Sequence, residues 1–217
     1  MAERRLVFGI GTGRSGTVSL AKLLDAQPKF NVTHEMTRTT RSGRIWRRLA
    51  EPIPWRASEN EVAATVDLIL HRRGSVVGDV GSSWLPHLPA LLRQYPSARV
   101  VCLERPRDEV VTSFLRKTGH SNHWMPGADR VVDPRFDPVF PKYEDAESKS
   151  AAVGLYWDEY RRLVGALRAA QPGRVRSWSM RDALNTEQGT AEVLEFAGVA
   201  PAAQVVPKQR HFNRVRS

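Results

Sequence analysis

Leu6-Val-Phe-Gly-Ile10 runs directly into Gly11-Thr-Gly-Arg-Ser-Gly-Thr17, and Val18, Leu20, Ala21, Leu23 and Leu24 follow at helical spacing until Pro28. An apolar run, a glycine-rich turn and an amphipathic stretch predict strand, loop and helix. The pattern repeats along the chain. Further strands are predicted at Phe30–Glu35, Ser75–Val80, Arg99–Glu104 and Arg174–Met180. Between them lie helical stretches. One runs from the capping box Ser58/Glu61 to about Arg73, and others over Arg107–Lys117, Glu147–Ala170 and Thr186–Ala197, the last closed by Gly198. Trp84–Tyr95 also reads as helix, with Pro86 and Pro89 confining its regular part to the second half.

Strands alternating with helices argue a parallel sheet with right-handed crossovers. Continuous apolar strands such as Val100-Val-Cys-Leu103 suit a sheet covered on both faces. The expected fold is α/β, a P-loop-like three-layer α/β/α arrangement around a central, mostly parallel sheet of about five strands, in one domain over residues 1–217. Ligands in such folds sit at the carboxyl ends of the strands. Glu35, Asp79 to Ser83, Glu104 to Arg107 and the Gly11 loop are therefore expected on one rim. Two stretches fall outside the pattern. Arg38–Ala57 is basic and reads as an irregular excursion. Gly119–Asp145 is rich in proline and glycine, and so long an irregular segment points to a functional loop or lid.

Composition limits the function classes. The chain has 217 residues, 41% hydrophobic and 26% charged, values of an ordinary globular protein. A disordered chain, a collagen and a disulfide-stapled miniprotein are excluded, since the lone Cys102 has no internal partner. The net charge of +10 suits anionic ligands. No apolar stretch reaches the ~20 residues of a membrane span, and Leu6–Ile10 is too short for a signal-peptide core. A cytoplasmic protein without membrane partner is expected.

The glycine loop is the chemical signal. Glycines let backbone N–H groups converge, and the helix N-terminus adds positive potential, so the turn cradles an anion. Gly11 to Gly16 has P-loop spacing, but Thr17 and Val18 stand where a nucleotide P-loop has lysine and then Ser or Thr. The cation, Arg14, lies inside the loop instead. Gly11, Gly13 and Gly16 also have dinucleotide-loop spacing, which would put the ribose-binding acid at His34 or Glu35. A turn that only packs helix on strand is the bland alternative.

Thr12-Gly-Arg-Ser-Gly-Thr-Val-Ser19 resembles the 5′-phosphosulfate loop of sulfotransferases that use 3′-phosphoadenosine 5′-phosphosulfate (PAPS), the P-loop-like cytosolic and bacterial type. In that family an Arg at a later strand end and a Ser eight residues on bind the 3′-phosphate. Arg105 and Ser113, in Leu103-Glu-Arg-Pro-Arg-Asp-Glu-Val-Val-Thr-Ser-Phe114, have that separation. Val77–Pro86 and Thr186–Val199 resemble other family segments more loosely. His211-Phe-Asn-Arg214 lies where some members carry a basic lid, and Lys208, Arg210 and Arg214 are expected either to close on the 3′-phosphate or to fray as a solvated tail. The resemblance implies that Gly11, Thr12, Gly13, Arg14, Ser15, Gly16, Thr17, Val18, Ser19, Arg105, Ser113 and Arg210 hold the nucleotide.

The implied reaction moves a sulfuryl group to a hydroxyl or amine of a small-molecule or glycan acceptor, in line and without a metal. Positioning and charge stabilisation carry most of such a reaction. Arg14 would neutralise the leaving phosphate. The base is Glu35, which the resemblance favours, or His34, whose residue type titrates near neutrality without tuning. The two alternate along a strand, so one of them is expected to face the cleft. Arg38–Ala57 and Gly119–Asp145 match nothing in the family and are expected to set the acceptor, with Trp46, Trp55, Trp124 and Phe140 as a stacking wall or as core. A P-loop nucleotide or metabolite kinase with a degenerate loop, and a non-enzymatic anion or nucleic-acid binder, are the rival readings. His120 and His123 have no evident third metal ligand, and no recognisable nucleic-acid module is present.

Overall fold

The apolar strands divide their side chains between two faces, which is what stacks the chain in three layers. A computed structural model describes residues 4–39, 45–127 and 130–206. Five parallel strands form the centre: β1 (Arg5–Ile10), β2 (Phe30–His34), β5 (Val76–Val80), β6 (Arg99–Glu104) and β7 (Val175–Ser179). Two short antiparallel strands, β3 (Thr37–Thr39) and β4 (Ile45–Arg48), extend the β2 edge, giving the order β4-β3-β2-β5-β1-β6-β7.

Register follows from the alternation. Leu6, Phe8 and Ile10 of β1 join Val100 and Cys102 of β6 on one face, while Val7, Val101 and Leu103 face the other. The first face is covered by α2 (Glu59–Leu70), α3 (Leu88–Gln94), α4 (Arg107–Thr118) and α5 (Lys149–Ala170). The second is covered by α1 (Thr17–Asp25), α6 (Met180–Asn185) and α7 (Glu187–Ala197). Helix α1 thus leaves β1 towards one face, and the segments after β5 and β6 leave towards the other. A crevice opens where they part, at the carboxyl end of β1.

The structure departs from the sequence reading at β3/β4 and at the end of β7, and it bears out the late start of α3. Arg38–Ala57 is not wholly irregular, because β3 and β4 pair within and beside it, with Thr37 opposite Arg48 and Arg38 opposite Arg47. A polar edge hairpin buries no alternating stripe, so it leaves no periodic signal, and charged residues suit an exposed edge. The fifth parallel strand stops at Ser179 rather than Met180, since Ser179 caps α6 by accepting from Asp182 N at 3.0 Å. Before α3, Ser82–His87 forms a 3₁₀ turn that accommodates Pro86.

The 119–145 stretch has little regular structure, with a 3₁₀ turn at Asp137–Val139 and an isolated bridge between Ser121 and Val131. It is nevertheless pinned. Asp137 accepts from Arg130 through both guanidinium nitrogens and from Lys142 Nζ at 3.0 Å. Lys142 also donates to the carbonyls of His123 and Asp137, each at 2.7 Å. Trp124 is fully buried beneath, edge-on to Phe114 at 4.7 Å between centroids.

Candidate active site

The loop after β1 takes its shape from residues with positive φ: Gly13 (76°), Arg14 (54°) and Gly16 (84°). Arg14 is the unusual member, since side chains rarely adopt this region. A side chain at Gly16 would be strained by its φ of 84° and would have to push aside Leu184 and Met180. Inside the loop the Thr12 and Ser15 hydroxyls lie 2.7 Å apart, and Ser15 Oγ donates to Gly13 O at 3.1 Å. Helix α1 makes its first bond from Leu20 N to Gly16 O at 3.0 Å. The N–H groups of Thr17, Val18 and Ser19 therefore lie outside the helix's own ladder, at its positive end.

Cations converge on this point. Arg14 Nε donates to Ser113 Oγ of α4 at 3.2 Å. Arg105, just beyond β6, donates from Nη1 to Arg14 O at 2.6 Å and from Nε to Glu109 at 2.9 Å. Burial holds the Arg14 pKa below the ordinary arginine value, and the charges of Arg105 and Arg116 lower it further. A guanidinium that is partly desolvated and crowded by like charge is a place prepared for an anion.

The other side of the crevice is set by the end of β2. His34 is the last residue of the strand, and Glu35 and Met36 both turn left-handed, with φ of 48° and 55°. Strand alternation ends there. His34 and Glu35 consequently both line the cavity, which corrects the expectation that one of them would turn away. His34 Nε2 lies 3.0 Å from Thr17 Oγ1, and Nδ1 lies 3.8 Å from Glu35 Oε2. Arg38 approaches Asp25 at 3.9 Å.

Asp79 holds this turn. It is 1% exposed and accepts from Met36 N at 2.9 Å and Thr33 Oγ1 at 2.5 Å through one oxygen. Its other oxygen accepts from Trp84 Nε1 at 2.8 Å. Arg72 donates to Thr33 Oγ1 at 2.8 Å and to the Gly78 carbonyl. Burial lowers the Arg72 pKa, and the Asp79 charge opposes that fall. One buried carboxylate thus ties the end of β2 to the turn that follows β5.

These groups surround a cavity of about 820 Å³. Its walls include Gly13, Arg14 and Gly16 to Ser19 of the loop, His34, Glu35, Ser82, and Glu104 to Pro106. Gly11, Thr12, Ser15 and Ser113 are not on the wall; Ser113 stands behind it, through Arg14. Arg210, with Lys208, His211 and Arg214, lies outside the described residues. Of the expected aromatic wall, Phe140 lines the cavity with Phe114, whereas Trp55 and Trp124 are core. Nothing is described of the Trp46 side chain.

A wall absent from the sequence reading comes from Ser179, Met180, Arg181, Leu184 and Asn185. Its signal was available. Ser179-Met-Arg-Asp182 has the Ser-x-x-Asp form of a helix start, placed at the carboxyl end of a parallel strand.

A glycine loop with free helix N–H groups, the arginines Arg14 and Arg105, and the carboxylate of Glu35 thus line one crevice at the carboxyl ends of a parallel α/β sheet. The chain belongs to the sulfotransferase family, whose profile, described as "Sulfotransferase domain", matches residues 6–162. The chain is also similar in structure to a crystallised sulfotransferase from Mycobacterium tuberculosis H37Rv. That likeness has a TM-score of 0.54 at 16% identity and covers 92% of this chain and 68% of the other. At this identity the likeness speaks for the fold. No curated protein matches the sequence. The matched span holds the loop, Glu35, Arg105 and Ser113, but not the Ser179–Asn185 wall. Among the described residues no helix is long and apolar enough to cross a membrane.

Proposed function

We propose that the protein transfers a sulfuryl group from PAPS to a hydroxyl or amine of a small-molecule or carbohydrate acceptor by in-line displacement. One observation carries the reading: Arg14 sits inside a helix-capping glycine loop, bonded to Ser113 on one side and Arg105 on the other. The crowded, partly desolvated Arg14 and the α1 N–H groups suit a dianionic 5′-phosphate. Arg105 suits the 3′-phosphate, for which it would exchange its exposed partner Glu109. The cavity is large enough for a nucleotide and a small acceptor together.

When bound, PAPS supplies an activated sulfuryl group whose leaving phosphate is a stable anion. Arg14 stabilises the charge that grows on the bridging oxygen as the sulfur–oxygen bond breaks. Glu35 takes the proton of the acceptor hydroxyl as the new sulfur–oxygen bond forms. His34, between Thr17 and Glu35, orients the carboxylate. Arg14 donates hydrogen bonds and no proton, as its residue type stays charged.

Calorimetric titration with 3′-phosphoadenosine 5′-phosphate, 5′-AMP and Mg-ATP tests the donor. Micromolar binding that needs the 3′-phosphate and weakens at least about tenfold in Arg105→Ala is expected, the scale of one charge-assisted contact. Binding of Mg-ATP alone would replace the reading with a kinase.

A further inference from the structure

The Thr17 hydroxyl has one hydrogen-bond partner among the described residues, His34 Nε2 at 3.0 Å. Both residues line the cavity, Thr17 at the first position of α1 and His34 at the end of β2. On the other side of the ring, Nδ1 lies 3.8 Å from Glu35 Oε2. That is ion-pair range, beyond a hydrogen bond. Thr17, His34 and Glu35 thus form a polar path from the glycine loop to the proposed base.

The imidazole can serve this path in two ways. A neutral ring carries one proton, and a hydroxyl both donates and accepts. If Thr17 donates to Nε2, the ring proton sits on Nδ1, where it faces the Glu35 carboxylate. If Nε2–H donates to Thr17, Nδ1 is bare and the carboxylate keeps its lone pairs for a substrate proton. Attraction between Nδ1–H and a carboxylate favours the first arrangement. A phosphate at the loop favours the second, because it offers acceptors only and draws the Thr17 proton to itself. Thr17 also brings to this helix N-terminus a backbone N–H outside the α1 ladder.

We propose that a 5′-phosphate bound at the α1 N-terminus switches the His34 tautomer from Nδ1–H to Nε2–H, so that Glu35 is free to take the acceptor's proton once the donor is in place. The inference rests on the proposed donor site and on the proposed role of Glu35. The ring gives up one proton at Nδ1 and gains one at Nε2 by exchange with solvent, which reaches a His34 side chain 17% exposed, and its charge is unchanged. His34 is then a positioning residue that makes the base answer to donor occupancy.

Nitrogen chemical shifts of isotope-labelled histidine read the tautomer directly, and His34→Gln identifies the His34 signals. At about pH 8, where an imidazole is largely neutral, the protein alone should show Nδ1–H as the major form. Saturation with 3′-phosphoadenosine 5′-phosphate should make Nε2–H the major form, whereas adenosine 3′-phosphate, which lacks the 5′-phosphate, should not. Thr17→Val should abolish the response and Thr17→Ser should keep it. In transfer from PAPS, His34→Gln should lose at least about tenfold in kcat, with nucleotide affinity within about threefold of the parent. An unchanged tautomer or a doubly protonated ring in the nucleotide complex, an equal response to adenosine 3′-phosphate or in Thr17→Val, or full kcat in His34→Gln would overturn this inference alone. Failure of the parent to bind the nucleotide would overturn the donor reading and this inference with it.

Discussion

Replacing Asp79 probes how the fold places Glu35. The carboxylate is 1% exposed and receives three donors, Thr33 Oγ1 and Met36 N on one oxygen and Trp84 Nε1 on the other. Asparagine supplies a single acceptor oxygen. With that oxygen kept towards Thr33 and Met36, its NH₂ opposes the indole N–H, and both buried donors are left unpaired at about 1–3 kcal/mol each. Arg72 also loses the charge that offsets its burial. A total near 3 kcal/mol would lower Tm by roughly 6–12 °C in a chain of this size. Asp79→Ala releases the Met36 N–H as well, and with it the two left-handed residues that carry Glu35 into the cavity. Thermal unfolding and sulfuryl-transfer kinetics separate the two effects. Asp79→Asn should lose stability while keeping much of kcat. Asp79→Ala should lose at least about tenfold more kcat, as expected when a proton acceptor is misplaced. Both should retain affinity for 3′-phosphoadenosine 5′-phosphate, whose proposed binding groups, Arg14 and Arg105, are not bonded to Asp79. An Asp79→Asn protein unfolding within about 1 °C of the parent, or an Asp79→Ala protein with full kcat, would refute the reasoning.

The Asp137 cluster makes the 119–145 segment acid-sensitive. Hydrogen bonds from Arg130 hold the carboxyl well below the usual carboxylate range, with Lys142 adding to the effect and burial opposing it. Its stabilising contribution is complete above about pH 4 and is lost as pH falls towards the depressed native value. Limited proteolysis should cut this segment in acid but not at pH 6, and Asp137→Asn should be cut at pH 6 already; an identical acid profile in the variant would remove Asp137 as the cause. Cys102 should resist iodoacetamide at pH 8 until the protein is unfolded, because burial pushes its thiol up to about 12. From about pH 8.5 upwards the unfolded chain releases a proton that the native one keeps, so this group lowers stability on the alkaline side. Rapid labelling of the native protein would show that Cys102 is open to solvent.

The parallel sheet was legible because its strands are apolar on both faces, and β6 matches the reading from Arg99 to Glu104. The Ser58/Glu61 capping box and the left-handed Gly198 stop were equally plain, since each is a local residue requirement. What escaped depends on contacts distant in sequence. β3 and β4 are polar and owe their pairing to the edge of β2. The joint presence of His34 and Glu35 on the cavity depends on Asp79, 44 positions beyond Glu35 in the chain. The bond from Arg14 to Ser113 joins residues 99 positions apart, which no spacing announces. The Ser179–Asn185 wall is the exception: α6 is too short to show a period, but the Ser179/Asp182 helix start was there to be read.

Phe140 meets the acceptor space from one side of its segment, while the Asp137, Arg130 and Lys142 cluster fastens the same segment elsewhere. The two tasks are divided between different residues. The division is incomplete, because the Phe140 ring also packs on Trp124 and Tyr156 and on Phe114, which in turn borders Gly13 of the glycine loop. For an engineer, a library at position 140 has to vary position 114 with it, while positions 130, 137 and 142 are the ones to leave fixed.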